Sequence, residues 1–171
     1  MSGRNAARDG SSETSIVISG FPAVGKTWLA SHGPQDYTVV DLDTANWPLE
    51  TRGDDFFDKY VEMVRELAQK SRHIILVSSH QETRTALAKA SVPYSLVYPS
   101  AHLKDEYVRR VENRGSGELA SRINDNWTVI IDSVQDQKDC EHFVLTEGQY
   151  LGGIIFVIIN RSRSNHNQKT F

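Results

Sequence analysis

The chain has a single cysteine, Cys140, in 171 residues. A lone cysteine excludes an internal disulfide and a cysteine-based zinc cluster, and it fits a reducing, cytoplasmic setting. Cys140 itself reads as a small buried apolar residue. Long apolar runs are also missing. The longest, Ile154-Ile155-Phe156-Val157-Ile158-Ile159, is six residues, whereas a bilayer span takes about twenty, so no membrane partner is expected. Met1 to Thr14 is small and polar and lacks the apolar centre of a signal peptide, so it reads as a disordered leader. There is no excess of positive charge: the formal net charge is -3, which gives no global pull toward nucleic acid or an anionic membrane. Neither H-E-x-x-H nor any histidine cluster occurs, so a dedicated transition-metal site is not expected. A composition of 39% hydrophobic and 24% charged residues suits one domain with a real core.

What is present is Gly20-Phe21-Pro22-Ala23-Val24-Gly25-Lys26-Thr27, a complete G-x-x-x-x-G-K-[ST] phosphate-binding loop directly after the apolar run Ser15 to Ser19. The two glycines let the backbone wrap closely around phosphate, so that N–H groups and the positive end of the next helix face the anion. Pro22 is compatible with the loop and stiffens it. Lys26, read as exposed on the loop, reaches toward the β- and γ-phosphates of a nucleoside triphosphate, and the Thr27 hydroxyl toward a bridging magnesium ion.

β-Branched runs alternate with helical patterns, the arrangement that builds a parallel sheet covered on both faces. Strands are expected at Ser15–Ser19, Tyr37–Val40, His73–Val77, Tyr94–Tyr98 and Trp127–Ile131. Helices are expected at Lys26 to Gly33, where Gly33-Pro34 stops the turn early, and at Asp54–Arg72, Gln81–Ala90 and Leu103–Asn113. The domain is expected over residues 15–151, with an apolar strand or helix and a polar basic tail over residues 152–171. In such a sheet ligands bind at the carboxyl ends of the strands, so the segments just after each strand carry the chemistry. They are the phosphate loop, Asp41-Leu42-Asp43, Ser78-Ser79-His80, Pro99-Ser100 and Asp132-Ser133.

Asp41 and Asp43 alternate in extended backbone, so both carboxylates point toward the phosphate-loop edge. One is suited to magnesium and the other to orienting or deprotonating the hydroxyl of a phosphoryl acceptor; an Asx turn at Asp43 in a solvated loop is the plainer alternative. Along the basic helix, Arg110 and Arg114 are four apart and share a face with Tyr107 one turn before. Gly115-Ser116-Gly117 then supplies a joint about which residues 101–125 would swing as a lid. The plainer alternative is a surface helix whose arginines pair with Glu106. Trp47, His80 and Arg84 are further candidates for acceptor contacts, each with a plain packing or capping alternative.

Together the phosphate loop, the Asp41-x-Asp43 pair and the Arg110-x-x-x-Arg114 helix resemble small P-loop kinases of the nucleoside monophosphate, shikimate and gluconate type. Ser19–Ala30, Asp41–Asp43, Val77–Leu87, Val97-Tyr98-Pro99 and Lys104–Gly115 look more specifically like the phage-type deoxynucleoside monophosphate kinase-like group. The resemblance implies a three-layer P-loop NTPase fold with a five-stranded parallel sheet in the order 2-3-1-4-5 and a helical lid. It implies ATP and Mg2+ held at residues 20–27, with Thr27 and Asp41 on the metal side, Asp43 toward the acceptor, and Lys26, Arg110 and Arg114 around the transferred phosphoryl. The expected function is transfer of the γ-phosphoryl of Mg-ATP to a small acceptor, foremost a nucleoside or deoxynucleoside monophosphate. An NTP-hydrolysing or NTP-sensing module, a small-metabolite kinase and a polynucleotide kinase are the alternatives, the last disfavoured by the acidic charge balance.

Overall fold

The β-branched runs form β1 (Ile16–Gly20), β2 (Thr38–Asp41), β3 (His73–Ser78) and β4 (Ser95–Pro99), joined by β5 (Glu141–Leu145). All neighbours are parallel, and the sheet order is β2-β3-β1-β4-β5. This computed structural model describes residues 14–168; the expected leader up to residue 13 and the end of the basic tail, with Lys169, lie outside them. Strands β1 and β4 are buried along their whole length and β3 along all but its first residue. That is why they read as unbroken apolar runs: with both faces covered, alternation disappears.

Among the described residues six α-helices surround the sheet: α1 (Lys26–His32), α2 (Phe56–Ala68), α3 (Gln81–Lys89), α4 (Lys104–Glu112), α5 (Gly117–Gln135) and α6 (Leu151–Gln168). As expected, α1 ends at Gly33. The apolar stripe of α2 lays Tyr60, Val61 and Val64 into the core, each such side chain contributing about 1.5–3 kcal/mol by leaving water. The apolar run after Gly153 is helical. In α6, Leu151, Ile155, Ile158 and Ile159 are buried while Phe156 and Val157 remain exposed. Among the described residues no helix is long and apolar enough to cross a membrane.

The expected fifth strand, Trp127–Ile131, lies instead inside α5. A strand would turn residues 127, 129 and 131 to one face. Trp127 is 6% exposed and Ile131 1%, but Val129 is 71% exposed, and the buried positions Ala120, Ile123, Trp127, Ile131 and Val134 recur at helical spacing. Asp132-Ser133 therefore follows no strand. The true β5 alternates Phe143 and Leu145 inward with Val144 outward, a weaker signal because it opens with Glu141 and His142. Helix α5 is also kinked: Asn126 departs from helical geometry (φ -116, ψ 16).

Candidate active site

Strand β1 delivers the chain into the phosphate loop, and two backbone bonds pin that loop from outside. Phe21 N–H donates to Val97 O at 2.9 Å, and Leu151 N–H to Val24 O at 2.8 Å. Gly25 sits at φ +101, left-handed backbone that a side chain would strain, and Ala23 holds φ +62 without that relief. At Gly20 the demand is for space: a Cβ would stand 3.0 Å from both Lys26 Cδ and Val24 Cγ2. No protein acceptor among the described residues takes the backbone N–H groups of Gly25, Lys26 and Thr27. Orphan donors at the start of a helix, clustered on a tight loop, make an anion cradle.

Lys26 is not exposed. Its side chain is 9% accessible and folds back so that Nζ donates to Gly20 O at 2.7 Å and Phe21 O at 3.3 Å and meets Asp43 Oδ2 at 3.2 Å. Burial lowers the Lys26 pKa, against the pull of Asp43. Burial acts on Asp43 in the opposite sense, but the Lys26 ammonium and the Ala45 N–H outweigh it and hold the carboxyl below the usual carboxylate range. The 3.2 Å contact thus favours the carboxylate form of Asp43.

Asp41 and Asp43 both line the cleft, on a tightly wound segment: Asp41 Oδ1 accepts the Asp43 N–H at 3.0 Å and Asp43 Oδ1 accepts the Ala45 N–H at 3.0 Å. The Asx turn and the ion pair to the phosphate-loop lysine thus coexist. Tyr60 Oη donates to Leu42 O at 2.7 Å from below. A chain of buried hydroxyls fixes the same segment: Thr44 Oγ1 and Ser78 Oγ lie 2.9 Å apart, as do Ser78 Oγ and Thr83 Oγ1. Sequence reading passed over this chain because its three members come from three elements.

Helices α4 and α5 roof the cleft as an antiparallel pair. Arg110, with a side chain 10% accessible, pairs with Glu106 and donates to Ala23 O at 3.4 Å and Gln149 O at 3.0 Å. Its guanidinium lies over Tyr150 at 3.8 Å and Tyr107 at 4.6 Å. Glu106 also accepts the Gly148 N–H at 3.1 Å. Both expected lid arginines line the cleft, but Arg110 is tied to the phosphate loop while the Arg114 side chain has no hydrogen bond or ion pair among the described residues. A third arginine, Arg122 on α5, also lines it. It was missed in the sequence because its position depends on α5 folding back along α4.

The cleft these parts enclose measures about 680 Å³. Neither a family model nor a curated protein matches the sequence. The structure, however, superposes on a gluconokinase from Sinorhizobium meliloti 1021 with a TM-score of 0.56 over 94% of this chain and 99% of that one, at 14% identity. The fold is that of the P-loop kinases. Strand order and phosphate-loop position agree with that fold, although the sequence placed the fifth strand wrongly.

Several candidates have structural duties within this P-loop kinase fold. Arg84, 3% exposed, donates to Ser79 O, Ser133 O, Ser133 Oγ and Gln137 Oε1, clasping α3 to α5 away from any acceptor phosphate. Trp47 packs edge-on against Phe56 and Tyr60 and is not among the residues that line the cleft. Arg52 donates to Trp47 O and Thr44 O, and Arg65 to Ala90 O. His80 precedes α3 and lines the cleft. Although its edge is open to solvent, crowding by protein lowers its pKa against the pull of Asp43, so the ring is neutral at neutral pH.

Proposed function

We propose that this protein is an ATP-dependent phosphotransferase that moves the γ-phosphoryl of Mg-ATP to a small acceptor. The observation that carries the reading is Lys26: a buried ammonium on an anion cradle, 3.2 Å from a carboxylate that opens onto the same cleft. When triphosphate enters, its oxygens would take over Lys26 from the Gly20 and Phe21 carbonyls, and the free N–H groups of Gly25, Lys26 and Thr27 would bind the remaining charge. That exchange releases the Asp43 carboxylate toward an acceptor hydroxyl, where it would orient the nucleophile and receive its proton. Arg114, unpaired over the cleft, would follow the charge on the transferred group, and Arg110 would hold the roof to the phosphate loop.

Among the described residues no three His, Cys, Asp or Glu side chains gather into a metal cage. The oxygen donors that line the cleft, Thr27 Oγ1 and the Asp41 carboxylate, nevertheless suit Mg2+, which takes few protein ligands and fills its shell with phosphate and water. Bound there, the ion would neutralise charge on the triphosphate. The gluconokinase likeness supports a small-molecule acceptor, and the sequence resemblance supports a nucleoside or deoxynucleoside monophosphate; a cytoplasmic location fits both.

The test is ADP release from Mg-ATP with and without acceptors of both kinds. Stimulation by an acceptor establishes the kinase. Slow release that no acceptor changes would point to nucleotide hydrolysis or sensing instead.

A further inference from the structure

The cleft divides along the strand order. β2 and β3 lie to one side of β1, and β4 and β5 to the other, so the loops after β2 and β3 form one flank of the phosphate loop and the segment after β5 forms the opposite one. The roof divides the same way. Helix α4 is tied to the β5 flank by Glu106 to Gly148 and Arg110 to Gln149, whereas α5 is tied to the β3 flank by Arg84 to Ser133 and Gln137.

The two flanks differ in chemistry. Both aromatic rings of Tyr or Trp that line the cleft belong with the β5 flank: Tyr150 lies against Gly25, and Trp28 lies against Gly152. The β2–β3 flank offers Asn46, Ser78, Ser79 and His80 beside the two aspartates, with Ala45 of the same loop and Leu119 of α5 as the aliphatic lining. Nucleobases are held chiefly by stacking, worth about 1–3 kcal/mol per base, and among the described residues no ring of Phe, Tyr or Trp on this flank lines the cleft; Trp47, in the loop after β2, packs against Phe56 and Tyr60 instead. Amide, hydroxyl and imidazole groups instead match a ligand rich in hydroxyls. Arg122 of α5 also lines the cleft. Among the described residues its only ion-pair partner is Glu118 at 3.2 Å, and the two side chains are 66% and 91% accessible, so the pair is weak and readily exchanged for a ligand anion. With two carboxylates and this cation lining one cleft, the ligand's neutral hydroxyl belongs at the aspartates and its negative group at the arginine. Size agrees, because a cleft of 680 Å³ that must also take a triphosphate has the volume of an ordinary one-ligand pocket.

We infer that the acceptor is a small polyhydroxylated anion without a nucleobase, with the reacting hydroxyl at Asp43 and its carboxylate or phosphate at Arg122. This rests on the kinase reading. In the reaction the acceptor hydroxyl oxygen forms a bond to the γ-phosphorus while the bond from that phosphorus to the β–γ bridging oxygen breaks. ADP leaves with the electron pair, and the hydroxyl proton passes to the Asp43 carboxylate.

The experiment measures ADP formation from Mg-ATP with four probes: aldonic acids of three to six carbons, sugar monophosphates, the matching neutral alditols, and nucleoside and deoxynucleoside monophosphates. The expected result is stimulation by an aldonic acid or a sugar monophosphate, the two arms telling carboxylate from phosphate, with alditols at least tenfold poorer in kcat/KM. Arg122→Gln should then raise the acceptor KM at least tenfold while the ATP KM stays within twofold, and Arg122→Lys should recover part of the loss. Stimulation by nucleoside monophosphates alone, equal use of alditols, or an unchanged acceptor KM in Arg122→Gln would each overturn the inference and leave the kinase standing. If no probe changes ADP release, the kinase reading fails and the inference with it.

Discussion

Lys26 and Arg122 face one cleft under opposite conditions. Lys26 is 9% accessible and meets two carbonyls and a carboxylate, whereas Arg122 is 66% accessible and meets one carboxylate that is almost wholly in water. The first belongs to a part assembled before any ligand arrives: glycine geometry, external backbone bonds and buried packing hold it, and such preorganisation is where electrostatic stabilisation of a transition state is strongest. The second belongs to a part whose side chains are free to rearrange around what binds, as closing segments must be. Residues on the first side should couple activity to local structure, and residues on the second should affect activity with little effect on stability.

The largest effect that would break this contrast is expected at Lys26. Lys26→Ala should lower turnover by about 10²–10³-fold, the usual scale for one preorganised charge. The melting temperature should fall as well, because the substitution leaves the Asp43 carboxylate, 22% accessible, and the Gly20 and Phe21 carbonyls without their donor. Steady-state ADP release and a thermal melt check both, and near-normal turnover would remove the phosphate-loop mechanism.

A paired comparison of Arg110 and Arg114 sharpens the contrast inside the roof. Arg110→Gln removes the charge-assisted ties to Glu106, Ala23 and Gln149, a loss of about 1.5–3 kcal/mol, or roughly 3–12 °C in melting temperature for a chain of this size. Arg114→Gln has no such tie to lose. It should leave the melt unchanged and lower turnover on the order of tenfold to a hundredfold. Equal melting shifts in the two variants would show that the roof is uniform after all.

Gly25→Ala tests the loop itself. A side chain at φ +101 costs about 1–2 kcal/mol in backbone strain, while the nearest atom of Tyr150 would lie 3.5 Å away, an ordinary contact. Strain without a clash should lower the melting temperature and weaken ATP binding together, and a titration of ATP-dependent stabilisation in the melt reads both.

The preorganised side was also the legible one. Its chemistry is packed into eight consecutive residues from Gly20 to Thr27, and the aspartates follow a strand whose end could be read directly. What escaped depends on contacts between distant elements. Trp127–Ile131 has strand-like composition, yet helical burial overrules it; the burial of Lys26 comes from Asp43 across the sheet edge; and Arg122 reaches the cleft only because α5 turns back on α4. Arg84 shows the same limit from the other direction, since a basic residue just after a strand end reads as a phosphate ligand until the carbonyls of Ser79 and Ser133 are seen to occupy it.

The smallest effect concerns the Lys26–Asp43 pair and pH. The Asp43 carboxyl is held below its ordinary value in the folded state, so its contribution to stability is present above the unfolded carboxyl pKa of about 4 and is lost as pH falls through the lower folded value. Burial of Lys26 works in the alkaline direction, because a cation whose folded pKa is lowered destabilises the fold less as pH rises. Asp43→Asn should therefore narrow the difference in denaturant midpoint between pH 7 and pH 3, without touching the remaining acid-side loss from other carboxylates. Midpoints measured at both pH values in the two proteins give the comparison directly. An undiminished difference in the variant would mean that Asp43 is already fully hydrated when folded, and that the cleft is loose on its phosphate-loop side as well as under α4 and α5.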